Sequence, residues 1–478
     1  MSNLLTSLAS ASSGLVAFER ALNNAQNNVT NSGTPGYVRQ SLVFAAQPFD
    51  GVVTAGGVRA LELRSARDTF AEQGVWKQLE LLGQAQTKAA SLAAVEGALD
   101  ISGQFGISGA LTKLYQNFSS WSIDPNSSTA RSNVLAAAEQ VAVAFNQADA
   151  ALNRTAQNSD RQLGDTISTI NQIGSRLRDY NLERRKGGEP DAALEAKIYG
   201  ALEELSELTD FSVLYQPDGT LSVLLGGQTP LVVGGNAYAI SYQTYTPSSP
   251  APTYANAPQL GRILNADGAD ITAQLTKGKL AGLLEVRNTV LPSLRGGPYQ
   301  AGDLNRLAKT MADRINTLLT AGRISDGPPP VAGIALFSYD ATNDTAAAFS
   351  LKVNPAMTTA QLAAIDAGPP YAANGTTLKL AALASPASAA DKIDGLSYVQ
   401  FYGNLAGRVG RDLLSARDVV DTQSQRLSQA RALREQISGV SLDEEAVRMV
   451  EFQRAYQATT EVIRIIDELT QATLGMVR

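Results

Sequence analysis

The stretch that decides the fold is SNLLTSLASASSGLVAFERALNNAQNNVTN, residues 2–31. Apolar or small side chains recur along it in alternating steps of four and three residues, at Leu4, Leu8, Ala11, Leu15, Phe18, Leu22, Ala25 and Val29. This spacing is typical of a coiled-coil seam and predicts a long helix with one narrow apolar stripe. The rest of the stretch is rich in Asn and Gln, and asparagine is a poor helix former. We therefore expect the helix to need a partner seam to stay folded.

A turn follows this first helix. Gly33 suits a left-handed helix end, and Pro35 prevents the helix from continuing. The pair Pro35-Gly36 fits the centre of a type II turn. From Tyr37 to Phe44 the chain is rich in β-branched and aromatic residues, which predicts an extended segment.

The C-terminal region shows the same narrow-seam pattern in two helices. The first runs from about Leu405 to Ile437, and the second starts at Ser441, whose hydroxyl can cap it. The stripe of the second helix consists of Leu442, Ala446, Met449, Phe452, Tyr456, Thr459, Ile463, Ile466 and Leu469. Neither end of the chain has a globular core of its own, so we predict that both ends seek partner helices.

The two terminal seams form the predicted assembly interface. The simplest arrangement pairs the two ends of the chain along one axis and places the middle of the chain outside them. The predicted interface residues are Leu4, Leu8, Leu15, Phe18, Leu22, Val29, Leu442, Met449, Phe452, Tyr456, Ile463, Ile466 and Leu469. Periodicity alone favours an intramolecular core as much as polymerisation, because a narrow stripe serves either purpose.

The middle of the chain alternates between helical and β-prone regions. Residues 66–210 contain a helical hairpin, and short β-prone runs begin at Phe211, with Asp218-Gly219 as a hairpin signal. We predict a multidomain, mainly α fold in which long coiled-coil-like terminal helices and a helical bundle carry inserted β-rich outer domains. The predicted domains are 1–65 with 398–478 for assembly, 66–210 with 278–322 for the bundle, and 211–277 with 323–397 for the β-rich part.

Composition argues against several classes of function. The chain has 478 residues, a formal net charge of −6 and no basic tract, which disfavours nucleic-acid binding. It has no cysteine and no histidine, so thiolate nucleophiles, Cys-based zinc sites and the commonest general base are missing. Its start has no signal-peptide pattern, and no window is apolar enough for a membrane helix. We therefore expect no enzymatic activity, no catalytic, metal or cofactor-binding residues, and no nucleic-acid or membrane partner.

Five local patterns invite a ligand-binding interpretation, but each favours a structural one. Gly103 to Gly109 and Gly278-Lys279 lack the spacing of a phosphate loop and predict an inter-helix loop and a helix start. Asp443-Glu444-Glu445 would point in different directions on a helix, and residues 265–270 have too few carboxylates for calcium. Four aromatic residues are expected in the core rather than around a ligand: Trp76, Tyr115, Phe118 and Trp121.

Two motifs, one near each end of the chain, carry a family resemblance. The first is Asn27 to Asn31 running into Thr34 to Gln40, and its marker residues are Asn31, Thr34, Pro35, Gly36 and Tyr37. The second is the run from Asp443 to Leu469, which contains Phe452-Gln453 and Ala455-Tyr456-Gln457-Ala458. Both closely resemble motifs of flagellar rod, hook and hook-associated proteins, in which Asn is usual at the position of Gly33. The segments 66–210, 218–220 and 278–285 resemble the hook-associated protein 1 family in particular.

The resemblance implies a structural subunit of the hook-filament junction that assembles with itself into a tube through its terminal helices. It also implies export by the flagellar type III apparatus to the extracellular flagellum. The implied partners are the hook protein, the next hook-associated junction protein and a flagellar export chaperone.

Two other functions remain as alternatives. The shared terminal motifs also allow another axial role, such as hook or rod protein, although the long helical region before Asp218 argues against hook protein. A glycan hydrolase on the β-rich part is a third hypothesis, but no pair of Asp or Glu residues stands out there.

Overall fold

The structure is a computed structural model, mainly helical with small inserted sheets. It describes residues 2–34, 36–48, 56–99, 106–186, 192–327, 329–368 and 371–476. The helices are α1 (Ser2–Asn31), α2 (Thr69–Leu99), α3 (Gly106–Ile123), α4 (Ser128–Arg185), α5 (Ala192–Leu208), α6 (Gly278–Glu285), α7 (Leu291–Arg295), α8 (Asp303–Ala321), α9 (Ala347–Ser350), α10 (Gly375–Ala382), α11 (Tyr398–Ser438) and α12 (Leu442–Met476). The predicted fold class, with long terminal helices and β insertions, is confirmed.

The strands are short and pair in antiparallel fashion. They are β1 (Gln40–Ala46), β2 (Val58–Ser65), β3 (Phe211–Tyr215), β4 (Leu221–Leu225), β5 (Thr229–Val233), β6 (Asn236–Ala237), β7 (Ser241–Tyr245), β8 (Leu260–Leu264), β9 (Arg323–Ser325), β10 (Val331–Ala332), β11 (Phe337–Ser338) and β12 (Lys352–Val353). One sheet has four strands in the order β3-β4-β5-β6, and β1-β2, β7-β8, β9-β10 and β11-β12 are two-stranded. The β1 strand confirms the extended segment that was predicted after the first helix.

The chain forms two compact units. Unit 1 consists of Met1–Leu82, Ile170–Ala239 and Gln423–Arg478, and unit 2 of Gly83–Thr169 and Ile240–Thr422. The four-stranded sheet therefore belongs to unit 1, whereas the strands from β7 onward belong to unit 2. The three-domain division made from the sequence stays a prediction.

The four-stranded sheet of unit 1 packs on the end of α4. Asn181 of α4 is completely buried, and its amide nitrogen donates to the carbonyl oxygens of Leu221 and Gly234, each at 2.8 Å. Its amide oxygen accepts the backbone N–H of Leu221 at 3.0 Å. The predicted hairpin at Asp218-Gly219 is confirmed, since it joins β3 to β4 and Gly219 takes a φ of 80°.

Unit 2 contains a large apolar core made by helices and short strands. Its largest fully buried aromatic side chains are Phe118, Trp121, Phe145, Phe337, Tyr398 and Tyr402. The aromatic residues expected to be core are buried, but in different units. Tyr115, Phe118 and Trp121 lie in unit 2, and Trp76 lies in unit 1, where its ring stacks on Tyr199 at a centroid distance of 5.8 Å.

The local patterns in unit 2 that resembled ligand sites are structural where the structure describes them. Gly278 opens α6, as predicted. Residues 265–270 form a turn in which the Asn265 side chain accepts the backbone N–H groups of Asp267 and Ala269. Gly106 begins α3, whereas residues 103–105 of the predicted loop lie outside the described residues, as does Pro35.

Candidate assembly interface

Helices α1 and α12 pack along each other in unit 1. A Cβ added to Gly14 of α1 would lie 3.9 Å from Cγ2 of Thr459 in α12. Further along α1, the Asn28 amide nitrogen donates to the Glu445 carboxylate near the start of α12, at 3.0 Å. The two helices therefore run antiparallel, and the two ends of the chain are paired.

The side chains that are buried on α1 are smaller than the residues of the predicted seam. Ala17, Ala21 and Ala25 are each 1% exposed and Asn28 is completely buried. The large seam residues are only half-buried: Leu4, Leu8, Leu15, Phe18, Leu22 and Val29. Small side chains let two helices approach closely, so the large neighbours stay at the edges of the contact. The role of those large residues in assembly stays a prediction.

The seam of α12 has the same graded burial. Ile466 is 8% exposed, while Leu442 and Leu469 at the two ends of the seam are 54% and 50% exposed. The remaining members are half-buried: Met449, Phe452, Tyr456 and Ile463. The seam thus mixes contacts inside the pair with apolar surface that solvent reaches.

A row of three aromatic rings joins α1 to α12 through the β1-β2 hairpin. The ring centroid of Phe44 in β1 lies 6.4 Å from that of Phe18 and 6.1 Å from that of Phe452. Helical periodicity identifies Phe18 and Phe452 but not Phe44. The only sequence signal for Phe44 is its place as an aromatic residue in the predicted extended segment.

A second set of apolar side chains on α12 remains exposed when the two helices are paired. Its members are 45% to 60% exposed: Leu442, Val447, Val450, Val462, Ile465, Leu469 and Leu474. Helix α1 adds Leu5 and Val16, which are 62% and 47% exposed. Single exposed apolar residues are ordinary, but a concentration of them on one helix pair indicates an interaction surface. Of this set, Leu442 and Leu469 belong to the predicted seam, and the other five do not.

The motif that follows α1 lies against both terminal helices. The Tyr37 hydroxyl donates to the Asn28 amide oxygen at 2.8 Å, and the Arg39 guanidinium contacts the Glu444 carboxylate at 3.1 Å. Burial and the nearby negative charge of Glu445 raise the pKa of Tyr37 to about 12. The N-terminal and C-terminal motifs, which are more than 400 residues apart in sequence, are therefore in direct contact.

The remaining marker residues of the motif shape the turn. The Asn31 amide donates to the Asn27 carbonyl oxygen at 3.0 Å, and the Thr34 hydroxyl donates to Asn31 Oδ1 at 3.3 Å. Asn31, Thr34 and Tyr37 line an open groove together with residues of α4 and α5. Of the five marker residues, Pro35 lies outside the described part of the chain.

Gly36 makes a close approach that only glycine permits. Its φ is 76°, in the left-handed region, and an added Cβ would lie 2.8 Å from the carbonyl oxygen of Ala196 in α5. The Gly36 carbonyl oxygen also accepts a hydrogen bond from Arg67 at 2.6 Å. The turn therefore fastens the end of α1 to α5, a contact that the turn signal in the sequence does not reveal.

A mostly buried charge network continues from Arg67 through unit 1. Arg67 pairs with Glu72 of α2 and lies 3.9 Å above the ring of Tyr199. Glu72 contacts Arg434 of α11 at 3.2 Å, and Arg434 contacts Glu203 of α5 at 2.8 Å. Although burial acts to raise the pKa of Glu203, hydrogen bonds and charge from Arg434 and Arg431 hold it below the usual value. The network ties α2, α5 and α11 together, and sequence reasoning did not find it because its members are scattered along the chain.

The described residues carry no group of three or more His, Cys, Asp or Glu side chains that could hold a metal ion. Among the described helices, none is both long and apolar enough to span a membrane.

A known protein family matches a large part of this chain. The family described as the flagellar hook-associated protein FlgK helical domain matches residues 92–337, which is more than half of the chain. The chain belongs to this family. The family of the C-terminal region of flagellar basal body rod proteins FlgEFG also matches, over residues 434–476, which cover the end of α11 and α12.

Individual relatives agree with this assignment. The flagellar hook-associated protein 1 of Bacillus subtilis is 26% identical over 505 aligned residues, which span 99% of both chains. The flagellar hook-associated protein 1 of Salmonella typhimurium is 23% identical over 66% of this chain and 57% of its own length. The solved structure of the flagellar hook junction protein FlgK from Burkholderia pseudomallei has the same fold, with a TM-score of 0.61 over 77% of this chain and all of that chain, at 14% identity.

The family prediction made from the two motifs and the helical middle is confirmed. With it, the predicted role of a structural protein of the flagellar hook-filament junction is confirmed. The family places the protein in the flagellum, among proteins that assemble with other flagellar components.

Proposed function

We propose that the paired terminal helices are the assembly element of this junction protein and that copies pack side by side into a tube. The observation that carries the proposal is the exposed apolar set of α12, which the intramolecular pair leaves uncovered. Burying apolar surface against a neighbour is the main driving force of protein association. The half-buried large residues of the predicted seams would complete their burial in the same contacts.

The partners and the route of the protein belong to the same proposal. Besides itself, the chain binds the hook protein on one side and the next hook-associated protein on the other. It reaches the extracellular flagellum unfolded, through the flagellar type III apparatus, and a flagellar export chaperone binds it before export. Family membership supports these partners, since hook-associated proteins are named for that position.

The proposed role is mechanical and not enzymatic. The curated relatives are structural flagellar proteins. The sequence has no cysteine or histidine, which removes the most common nucleophile and general base pairs. We propose no cofactor, metal, nucleic-acid or membrane partner.

A deletion strain distinguishes the junction role from the other axial roles. Without this chain, hooks should form and flagellin should be shed into the medium, because filament subunits would have no junction to attach to. Electron microscopy of the cells and immunoblotting of the medium measure both results. Missing hooks would instead assign the chain to the hook or rod, the alternative that the match to rod proteins supports.

Substitutions on α12 test the assembly element. Ile465→Asp places a charge on the exposed apolar set, so the monomer should keep its circular dichroism spectrum while the complemented strain makes few filaments. Leu15→Asp and Phe452→Asp should also block assembly, and they should leave unit 2 folded. The matched control is Gln457→Asp, which adds the same charge at an exposed polar position of α12. Normal filaments from the Ile465→Asp strain would contradict the proposal.

A further inference from the structure

One pair of polar side chains is buried where α1 and α12 meet. Asn28 is completely buried and Glu445 is 1% exposed. Asn28 continues the line of buried small residues formed by Ala17, Ala21 and Ala25. A polar residue at such a position costs stability unless every hydrogen-bonding group on it finds a partner.

Asn28 uses all of its hydrogen-bonding capacity. Its amide nitrogen donates to the Gln40 carbonyl oxygen at 2.8 Å and to Glu445 Oε2 at 3.0 Å. Its amide oxygen accepts from the Tyr37 hydroxyl at 2.8 Å and from the Gln40 backbone N–H at 3.0 Å. A primary amide has two donors and room for two accepted bonds, so no part of Asn28 is left unsatisfied.

Glu445 is satisfied from two directions. Asn28 of α1 bonds one carboxylate oxygen, and Arg448, one turn further along α12, bonds the other at 3.1 Å. The arginine balances the charge of the buried carboxylate within α12 itself. Asn28 is the partner that comes from the opposite helix, so the Glu445 contact is made only when the two helices are correctly aligned.

We propose that Asn28 and Glu445 set the register in which α1 pairs with α12. The small buried residues of α1 repeat regularly, so a shift of α12 by one heptad would still place apolar groups against them. The same shift would move Glu445 by about 10 Å. The Asn28 amide and the Glu445 carboxylate would then lose the hydrogen bond that joins them. A single buried asparagine sets the register of coiled coils by this mechanism.

The register decides which surface the pair presents. In the observed alignment Phe452 completes the ring row with Phe44 and Phe18, and a shift of one heptad would remove it from that row. The exposed apolar set of α12 would move along α1 by the same distance. The consequence for assembly rests on the proposed function, but the register itself is a property of the monomer.

The absence of cysteine from the sequence makes the register directly measurable. The pair Gly14→Cys with Thr459→Cys reports the observed alignment, because a Cβ at Gly14 meets only ordinary contacts at 3.8–3.9 Å. The pair Gly14→Cys with Ile466→Cys reports an alignment shifted by one heptad. Both are oxidised in dilute full-length monomer, and the intramolecular disulfide is quantified on non-reducing gels.

In otherwise unaltered protein, the Gly14–Thr459 pair should cross-link almost fully and the Gly14–Ile466 pair very little. Adding Asn28→Leu should raise the shifted product roughly tenfold, the change expected from losing one hydrogen bond to a charged group. Adding Asn23→Leu, at an exposed Asn of the same helix, should change neither product. If Asn28→Leu leaves the shifted product at the level of Asn23→Leu, the proposal is wrong.

Glu445 provides a second route if Asn28→Leu prevents folding. Glu445→Gln keeps an oxygen that can accept from Asn28, so the observed register should be retained. Glu445→Leu removes that acceptor, and the shifted product should increase. Equal cross-linking in these two variants would overturn the proposal. Because all measurements use monomer, a failed register test and a failed assembly test are separate results.

Discussion

The core of unit 2 and the terminal helix pair of unit 1 bury different kinds of side chain. In unit 2, Phe118, Trp121 and Phe145 are completely buried. In the terminal pair the buried line of α1 consists of alanines and one asparagine, while Leu15, Phe18 and Leu22 keep part of their surface in water. Stability grows with the apolar area removed from water, so unit 2 can hold itself together, whereas the terminal pair leaves apolar surface that the proposed assembly would bury.

The two regions also use buried asparagine side chains differently. In unit 2, Asn305 is completely buried and bonds the carbonyl oxygens of Arg295, Ala301 and Thr345, which fixes loops around a core. In the terminal pair, Asn28 bonds a residue of the opposite helix. The same residue type therefore holds local structure in one unit and alignment in the other.

The largest expected effect tests the contrast directly. Phe118→Ala should lower the free energy of unfolding of unit 2 by about 3–5 kcal/mol, because it leaves a cavity in a closed core. Leu22→Ala should cost the terminal pair only about 1 kcal/mol, since Leu22 is half-buried and the contact can adjust. Urea unfolding measures the first effect through Trp121 fluorescence in a Trp76→Phe background, because the chain has two tryptophans, one in each unit. Equal losses would remove the proposed distinction between the two regions.

A smaller effect is expected at the turn that fastens α1 to α5. Gly36→Ala should destabilise unit 1 by about 2 kcal/mol, because it forces a left-handed conformation on alanine and pushes its Cβ against Ala196. Trp76 fluorescence in a Trp121→Phe background reports the change, since Trp76 stacks on Tyr199, which lies in α5 together with Ala196. The control is Gly33→Ala, where an added Cβ meets nothing within 4 Å. A cost at Gly33 equal to that at Gly36 would show that the close approach is unimportant.

The smallest effect is expected at alkaline pH. The pKa of Tyr37 is raised from 10.0 to about 12, so its neutral form is favoured in the folded protein. Its contribution is fully present below pH 10 and is lost as the pH rises from 10 to about 12, where the unfolded chain ionises first. Urea unfolding followed by circular dichroism should show this loss for the unaltered chain and a weaker one for Tyr37→Phe. Identical pH profiles would assign the loss to other groups.

Much of the fold follows from short-range patterns in the sequence. The seams of α1 and α12 predict helices because apolar side chains at steps of three and four lie on one face. Asp218-Gly219 predicts a hairpin because Gly219 tolerates a positive φ. The two terminal motifs and the helical middle were enough to indicate the family.

Short-range sequence patterns predict only part of the candidate interface. The large seam residues were chosen for their size, but the structure buries Ala17, Ala21 and Asn28 on α1 instead. Periodicity gives the direction of a face and not the distance of the partner helix. Phe44 and the exposed Val450 and Ile465 were missed because their roles depend on what packs beside them.

The sequence by itself determined the helical seams, the hairpin and the family, because each depends on residues that are close together in the chain. Only the tertiary structure decided that α1 and α12 run antiparallel, that Asn28 meets Glu445, and that Gly36 touches α5. It also decided how the strands are divided between the two units. These features join residues that lie far apart in sequence, and local propensity carries no information about which distant groups will satisfy one another.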